Sequence, residues 1–144
     1  MTMTQDMNLL NKVYQDTKMG EENLNILLKS VQETALRDDL VTQMQGYSSL
    51  NSKAKKQIYA NGANPEESPF FQKLMADGMI RFHAATAGSV SKIAKMVIDG
   101  SNMGIVEAQE TLNRCPEASQ TVRKLAEETI TFEQNSIERL KQYL

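Results

Sequence analysis

The chain has 144 residues, which is enough for one domain with its own hydrophobic core, and we expect a single domain over residues 1–144. Its 16 basic and 18 acidic residues leave a net charge of −2, which excludes the clustered basic surface of a nucleic-acid-binding protein. No apolar run is long enough to cross a membrane, and the N-terminus has no signal-peptide pattern. The lone cysteine, Cys115, cannot form an internal disulfide. We therefore expect a cytoplasmic protein without a membrane partner.

Apolar residues recur at spacings of three and four through the first part of the chain. This spacing predicts an amphipathic helix over about residues 6–32 and a second one over about 35–59. Thr34 is a suitable N-cap for the second helix. Because the link between the two helices is so short, we expect them to form an antiparallel hairpin.

The middle of the chain contains the least certain boundary. Gly62 and Pro65 end the second helix, and Ser68 followed by Pro69 is typical of a helix start. The pattern predicts a short helix over about 69–82 and a long one over about 90–113. The small residues at 84–89 leave open whether residues 69–113 form two helices or one.

The last segment predicts a helix over about 118–143, which follows the stop at Cys115 and Pro116. This helix forms a second hairpin with the helix at 90–113. The connection between the two hairpins is long enough to run the length of a bundle, as in ferritin-like folds. Nothing alternates with a period of two, so no strand is expected. The predicted fold is all-α: a ferritin-like four-helix bundle of two antiparallel hairpins, with a short helix in the crossover.

Three segments carry a resemblance to a known family. They are Leu9-Leu10-Asn11-Lys12 with Gly20-Glu21-Glu22-Asn23, the stretch at 96–104 (MVIDGSNMG), and the stretch at 132–140 (FEQNSIERL). With the helix lengths, the chain resembles the small bacterial ferritin-like four-helix-bundle proteins of unknown function. The resemblance covers nearly the whole chain and implies a bacterial origin and a bundle fold.

Ferritin-like di-iron proteins take a Glu-x-x-His pair from each of two helices. This chain contains no such pair, and its one histidine, His83, lies in the crossover. We therefore expect no enzymatic activity, no catalytic residues, no metal ligands and no cofactor. The open alternative is a reduced carboxylate site of Glu21, Glu107 and Glu133 for a hard divalent cation. The plainer interpretation places these glutamates at the edges of helices, in contact with solvent.

Small and hydroxylated residues interrupt the apolar stripes near mid-length. Thr17 and Gly20 on the first helix are examples, as are Ser101 and Gly104 on the third long helix. We expect hydrogen bonds to close this polar layer and the glycines to let helices approach closely, with Tyr47 filling the remaining volume. The candidate ligand-binding residues in this layer are Glu21, Tyr47, Ser101 and Glu133.

The crossover helix has more apolar surface than a short helix needs. Its interface candidates are Phe70, Phe71, Leu74 and Met75. The leading hypothesis is a non-enzymatic protein that acts through protein–protein contacts, as a homo-oligomer and with a possible protein partner. The alternatives are a metal- or small-ligand-binding protein that uses the polar layer, and a structural component of a spore or envelope layer.

Overall fold

In the part of the chain that it describes, the computed structural model of the protein contains five α-helices joined by short connections. It describes residues 2–85 and 88–144, and the side chains of 4–84 and 88–144. The helices are α1 (Thr2–Leu28), α2 (Thr34–Ala60), α3 (Pro69–Ala85), α4 (Val90–Arg114) and α5 (Gln120–Leu140), and a 3₁₀ turn follows at Lys141–Tyr143. No strand occurs among these described residues, which confirms the all-α prediction.

The helix ends differ from the predicted ones where capping decides them. Glu33, and not Thr34, caps α2, because its carboxylate accepts the backbone N–H groups of Ala35 and Leu36. Thr34 is already the first residue of the helix, so its prediction as the N-cap was wrong. Ser119 caps α5, which therefore begins at Gln120, two residues later than predicted.

Residues 69–113 contain two helices. The first, α3, ends at Ala85, and the second, α4, begins at Val90. The Ser89 side chain accepts the Lys92 backbone N–H and so fixes the start of α4. Of the predicted break at 84–89, residues 86 and 87 lie outside the described part of the chain.

Two apolar clusters show how the helices run. The first cluster joins the starts of α1, α3 and α5 to the ends of α2 and α4, through residues that include Leu10, Phe71, Val122, Ile58 and Leu112. The second joins the opposite helix ends, through residues that include Leu27, Phe82, Ile137, Leu40 and Val97. Accordingly α1, α3 and α5 run in one direction and α2 and α4 in the other. The pairs α1–α2 and α4–α5 are antiparallel hairpins, and α3 returns the chain along the length of α1.

The crossover helix α3 packs chiefly on α1. Phe71 and Met75, one turn apart, are buried in the first cluster. Phe70 and Leu74 lie on the outer side and are 72% and 41% exposed. Only these two of the four interface candidates therefore remain available for contact with another molecule.

The length and the apolar character of the helices decide whether any of them could cross a membrane. Within the described residues, no helix combines the length and the apolar character that a membrane crossing requires.

Candidate functional site

A layer of buried polar side chains lies between the two apolar clusters. All four long helices contribute to it, through residues that include Thr17, Gln43, Asn51, Ser101, Thr129 and Glu133. The hydroxyls of Thr17 and Thr129 donate to backbone oxygens of their own helices, at 2.7 and 2.9 Å. They are satisfied without leaving their helices, so the links between helices come from the longer side chains.

Helix α2 supplies the hydrogen bonds that cross this layer. Tyr47 Oη donates to Glu133 Oε2 of α5 at 2.7 Å, and Gln43 Nε2 donates to Ser101 Oγ of α4 at 3.2 Å. Asn51 Nδ2 donates to Thr17 Oγ1 of α1 at 3.1 Å. One helix is thereby tied to three others through buried hydrogen bonds, although these bonds do not close the layer completely, because three buried oxygens remain without partners among the described residues.

Glycines make room for the large members of the layer. A methyl group built on Gly20 would lie 2.6 Å from the Tyr47 ring, and one on Gly104 would lie 2.7 Å from Glu133 Oε2. Both distances are far inside van der Waals contact, so only glycine fits while these side chains keep their positions. These glycines thus accommodate the large side chains of Tyr47 and Glu133.

A cavity of about 210 Å³ opens onto the layer between α1, α3 and α4. Its α3 side includes the apolar side chains of Phe71, Leu74 and Phe82. The residues that α2 and α5 contribute are Gln43, Tyr47 and Glu133. Leu74 and Met103 in the lining are 41% and 57% exposed, so the cavity reaches the surface between α3 and α4.

Three buried oxygen atoms in this lining have no hydrogen-bond partner among the described residues: Glu133 Oε1, Gln43 Oε1 and Asp16 Oδ2. The exposed fractions of Glu133 and Gln43 are 2% and 1%, and that of the Asp16 side chain is 11%. An unsatisfied buried acceptor costs about 1–3 kcal/mol, and more when it is charged. Native proteins rarely leave such atoms without a ligand, an ion or ordered water.

Acidic groups outnumber basic ones around the cavity. The lining includes four carboxyl groups and two cationic ones, namely Asp16, Asp77, Glu107, Glu133, Lys12 and Arg81. Lys12 Nζ lies 3.2 Å from Asp16 Oδ1 and also donates to Glu107. Glu133 has no such direct ion pair, and its Oε1, like Asp16 Oδ2, has no hydrogen-bond partner among the described residues.

The pKa values of these two carboxyl groups reflect their surroundings. Burial and, after it, the neighbouring negative charge of Asp16 together raise the pKa of Glu133 to about 8. Burial raises the pKa of Asp16 to about 7, although Lys12 opposes that rise. Burial also raises the pKa of Tyr47 well above its usual value, so its phenol stays protonated and donates. The two carboxyl groups influence each other and titrate as a pair near neutral pH.

The structure separates one predicted ligand-binding residue from the other three. Tyr47, Ser101 and Glu133 line the cavity together. Glu21 instead lines a cleft of about 440 Å³ between α1 and α2, beside Lys18. Glu21 and Glu133 therefore lie in two different depressions, and the predicted carboxylate site that combines them is not formed around one cavity.

The sequence analysis did not select Asp16, the residue of α1 that places an unpartnered buried carboxyl oxygen in the cavity lining. Lys12, Asp16 and Gly20 are spaced four apart and so lie one above another on one helix face. That face adjoins the apolar stripe. The signal that could have identified Asp16 is an acidic residue four positions after a lysine and four positions before a glycine. Among the described residues, no group of three or more His, Cys, Asp or Glu is arranged to hold a metal ion.

Comparison with known proteins adds no relative. No family model, no curated protein and no solved structure matches the chain. The properties of the site therefore have to be inferred from its own residues.

The contact between Gly104 and Glu133 generates a test. Gly104→Ala and Gly100→Ala both raise helix propensity by about 1 kcal/mol. A methyl group on Gly100 meets nothing within 4 Å, whereas one on Gly104 displaces the Glu133 carboxylate from Tyr47. We expect Gly104→Ala to be less stable than Gly100→Ala by about 1–3 kcal/mol in urea unfolding, because the buried hydrogen bond between Tyr47 and Glu133 is lost. Equal midpoints for the two variants would show that Glu133 does not rest against α4.

Proposed function

We propose that this protein binds a small molecule in the cavity between α1, α3 and α4 and performs no enzymatic chemistry on it. The observation that carries the proposal is that three residues with unpartnered buried oxygens, Asp16, Gln43 and Glu133, line one cavity. A core that served packing alone would be more stable with apolar residues at these positions. A bound ligand with hydrogen-bond donors would satisfy them.

The size and lining of the cavity support a small, amphipathic ligand. A cavity of 150 Å³ accommodates benzene, so about 210 Å³ holds roughly eight non-hydrogen atoms. Apolar walls with a few polar groups are typical of sites that bind organic molecules. Phe71, Leu74 and Phe82 supply such walls here.

We also propose that the fold is a ferritin-like four-helix bundle in a cytoplasmic protein. Two antiparallel hairpins, α1–α2 and α4–α5, support the bundle assignment. The return of the chain along α1 through α3 supports the long crossover that ferritin-like bundles have. In such bundles, ligand and cofactor sites lie between facing helices, as the cavity does here.

A second proposal is self-association through the outer side of α3. Phe70 and Ile80 are 72% and 70% exposed, which is unusual for large apolar side chains on one short helix. Contact with a second copy of the chain would cover them. This proposal does not compete with ligand binding, because Phe71 and Phe82 face the cavity while Phe70 and Ile80 lie outside its lining.

Binding in the cavity can be measured by NMR with a panel of small probes. We expect benzyl alcohol, benzylamine, hexanol or hexylamine to bind saturably, with a Kd between about 10 μM and 1 mM for roughly eight atoms. The Gln43 side-chain amide should shift with the ligand, because it is buried in the cavity lining. The exposed side-chain amide of Asn113, near the end of α4, serves as the internal control. If no probe shifts Gln43, the cavity is not a small-molecule site.

Self-association can be measured by sedimentation equilibrium. The wild-type chain should form a dimer or a larger assembly at concentrations of tens of micromolar, and Phe70→Ser with Ile80→Ser should weaken it, because apolar burial drives association. Tyr59→Ser is the matched control, since Tyr59 is 56% exposed on α2. A monomeric wild-type protein at these concentrations would contradict the proposal.

A further inference from the structure

We infer that the ligand of this cavity is a primary amine on a compact apolar body, with its ammonium group held by Asp16, Gln43 and Glu133. This inference rests on the proposed function and names the chemical class that the site would select. It follows from the kind, number and charge of the polar atoms that the cavity leaves without partners.

When both carboxyl groups are ionised, the three unpartnered atoms are all acceptors. Two are carboxylate oxygens, on Asp16 and Glu133, and the third is the amide oxygen of Gln43, whose Nε2 already donates to Ser101. An alkylammonium group has three N–H donors and no acceptor. An ammonium group thus matches the number and kind of these unpartnered atoms, whereas a hydroxyl group has a single donor.

The charge of the lining favours a cation over a neutral or anionic ligand. Four carboxyl groups face two cationic side chains around the cavity. Lys12 forms its direct ion pairs with Asp16 and Glu107, so it acts on Glu133 only at longer range. Hydrogen bonds from a cation to a carboxylate are roughly twice as strong as those between neutral groups, and a low local dielectric increases that difference.

The arrangement of the lining also fixes how such a ligand would lie. The polar groups come from α1, α2 and α5, and the α3 side contributes Phe71, Leu74 and Phe82. The ammonium group would face Glu133, and the apolar body would lie against α3 and extend toward the opening beside Leu74 and Met103. A rigid ring or a chain of six carbons fits the volume of about 210 Å³.

Binding of a cation should release protons. Burial keeps the pKa values of Asp16 and Glu133 at about 7 and about 8 in the ligand-free protein. The other charged or titratable groups around the cavity are Lys12 on α1, Tyr47 on α2, Asp77 and Arg81 on α3, and Glu107 on α4. A bound ammonium group favours the ionised carboxylates and lowers their pKa values, so affinity should rise as pH rises through 7 and 8.

The experiment compares head groups on identical bodies. Benzylamine, benzyl alcohol and benzoate form one series, and hexylamine, hexanol and hexanoate form the other. Each is titrated calorimetrically into the full chain at pH 8.5. We expect each amine to bind at least tenfold more tightly than its alcohol and each carboxylate to bind more weakly than the alcohol. Hexylamine should gain at least tenfold in affinity between pH 6 and pH 8.5, where its own amine stays charged because its pKa is close to that of lysine, about 10.4.

Variants test which groups hold the ammonium. Glu133→Gln keeps the shape and the acceptor for Tyr47 but removes the charge, so amine affinity should fall at least tenfold while alcohol affinity stays within about twofold. Glu127→Gln, an exposed position on the same helix, should change neither. Asp16→Asn provides an independent test should Glu133→Gln fail to fold, and it should weaken the amines selectively in the same way.

The possible failures can be told apart. If no compound of either series binds, the proposed function fails together with the inference. If the alcohols or carboxylates bind as tightly as the amines, the cavity is a small-molecule site but not an amine site. Tight, stoichiometric binding of Mn²⁺ or Zn²⁺ that excludes the amines would show that the three oxygens serve a metal cation, and would overturn the inference.

Discussion

The buried carboxylate of Glu133 is the group around which the middle of this protein is arranged. It rests against the backbone of α4 at Gly104 and accepts the hydroxyl of Tyr47, which itself packs against Gly20 of α1. Two other helices, α2 and α4, therefore contact this side chain of α5, and α1 packs against its hydrogen-bond partner Tyr47. Removing this group from water opposes folding, and the surrounding hydrogen bonds satisfy only one of its two oxygens.

This arrangement divides the interior into two apolar clusters with a polar layer between them, and it leaves three buried oxygens of that layer without hydrogen-bond partners among the described residues. Apolar residues pack at both ends of the helices, and the polar layer between them borders a cavity instead of closing on itself. The pKa values of Asp16 and Glu133 lie above those of unfolded carboxyl groups, so the folded chain binds protons more tightly than the unfolded chain. The stability that follows is fully present below about pH 4 and is lost as pH rises through 7 and 8. Above that range, a cationic ligand would restore part of it.

The sequence predicts the helices well, because a period of 3.6 is repeated over stretches of 17 to 27 residues and prolines mark the interruptions. It also predicts the polar layer, because Thr17, Ser101 and Thr129 interrupt apolar stripes, whereas the burial of Glu133 does not follow from its position near the edge of a stripe. The cavity itself could not be read from the pattern. It depends on how α3 lies against α1 and α4, and that contact is formed between residues distant in the chain. Periodicity places Asp16 only at the edge of an apolar stripe. Its buried position in the cavity lining depends on how the helices pack together.

The most direct test of this arrangement is a ¹³C NMR titration of the side-chain carboxyl groups in the ligand-free protein. Glu133 should titrate near pH 8 and Asp16 near pH 7, because burial disfavours their charged forms. Asp16→Asn should lower the pKa of Glu133, since a neighbouring negative charge is removed. A Glu133 carboxyl that titrates near 4.5, the ordinary value for glutamate, would show that it is hydrated or paired and that the buried layer described here does not exist.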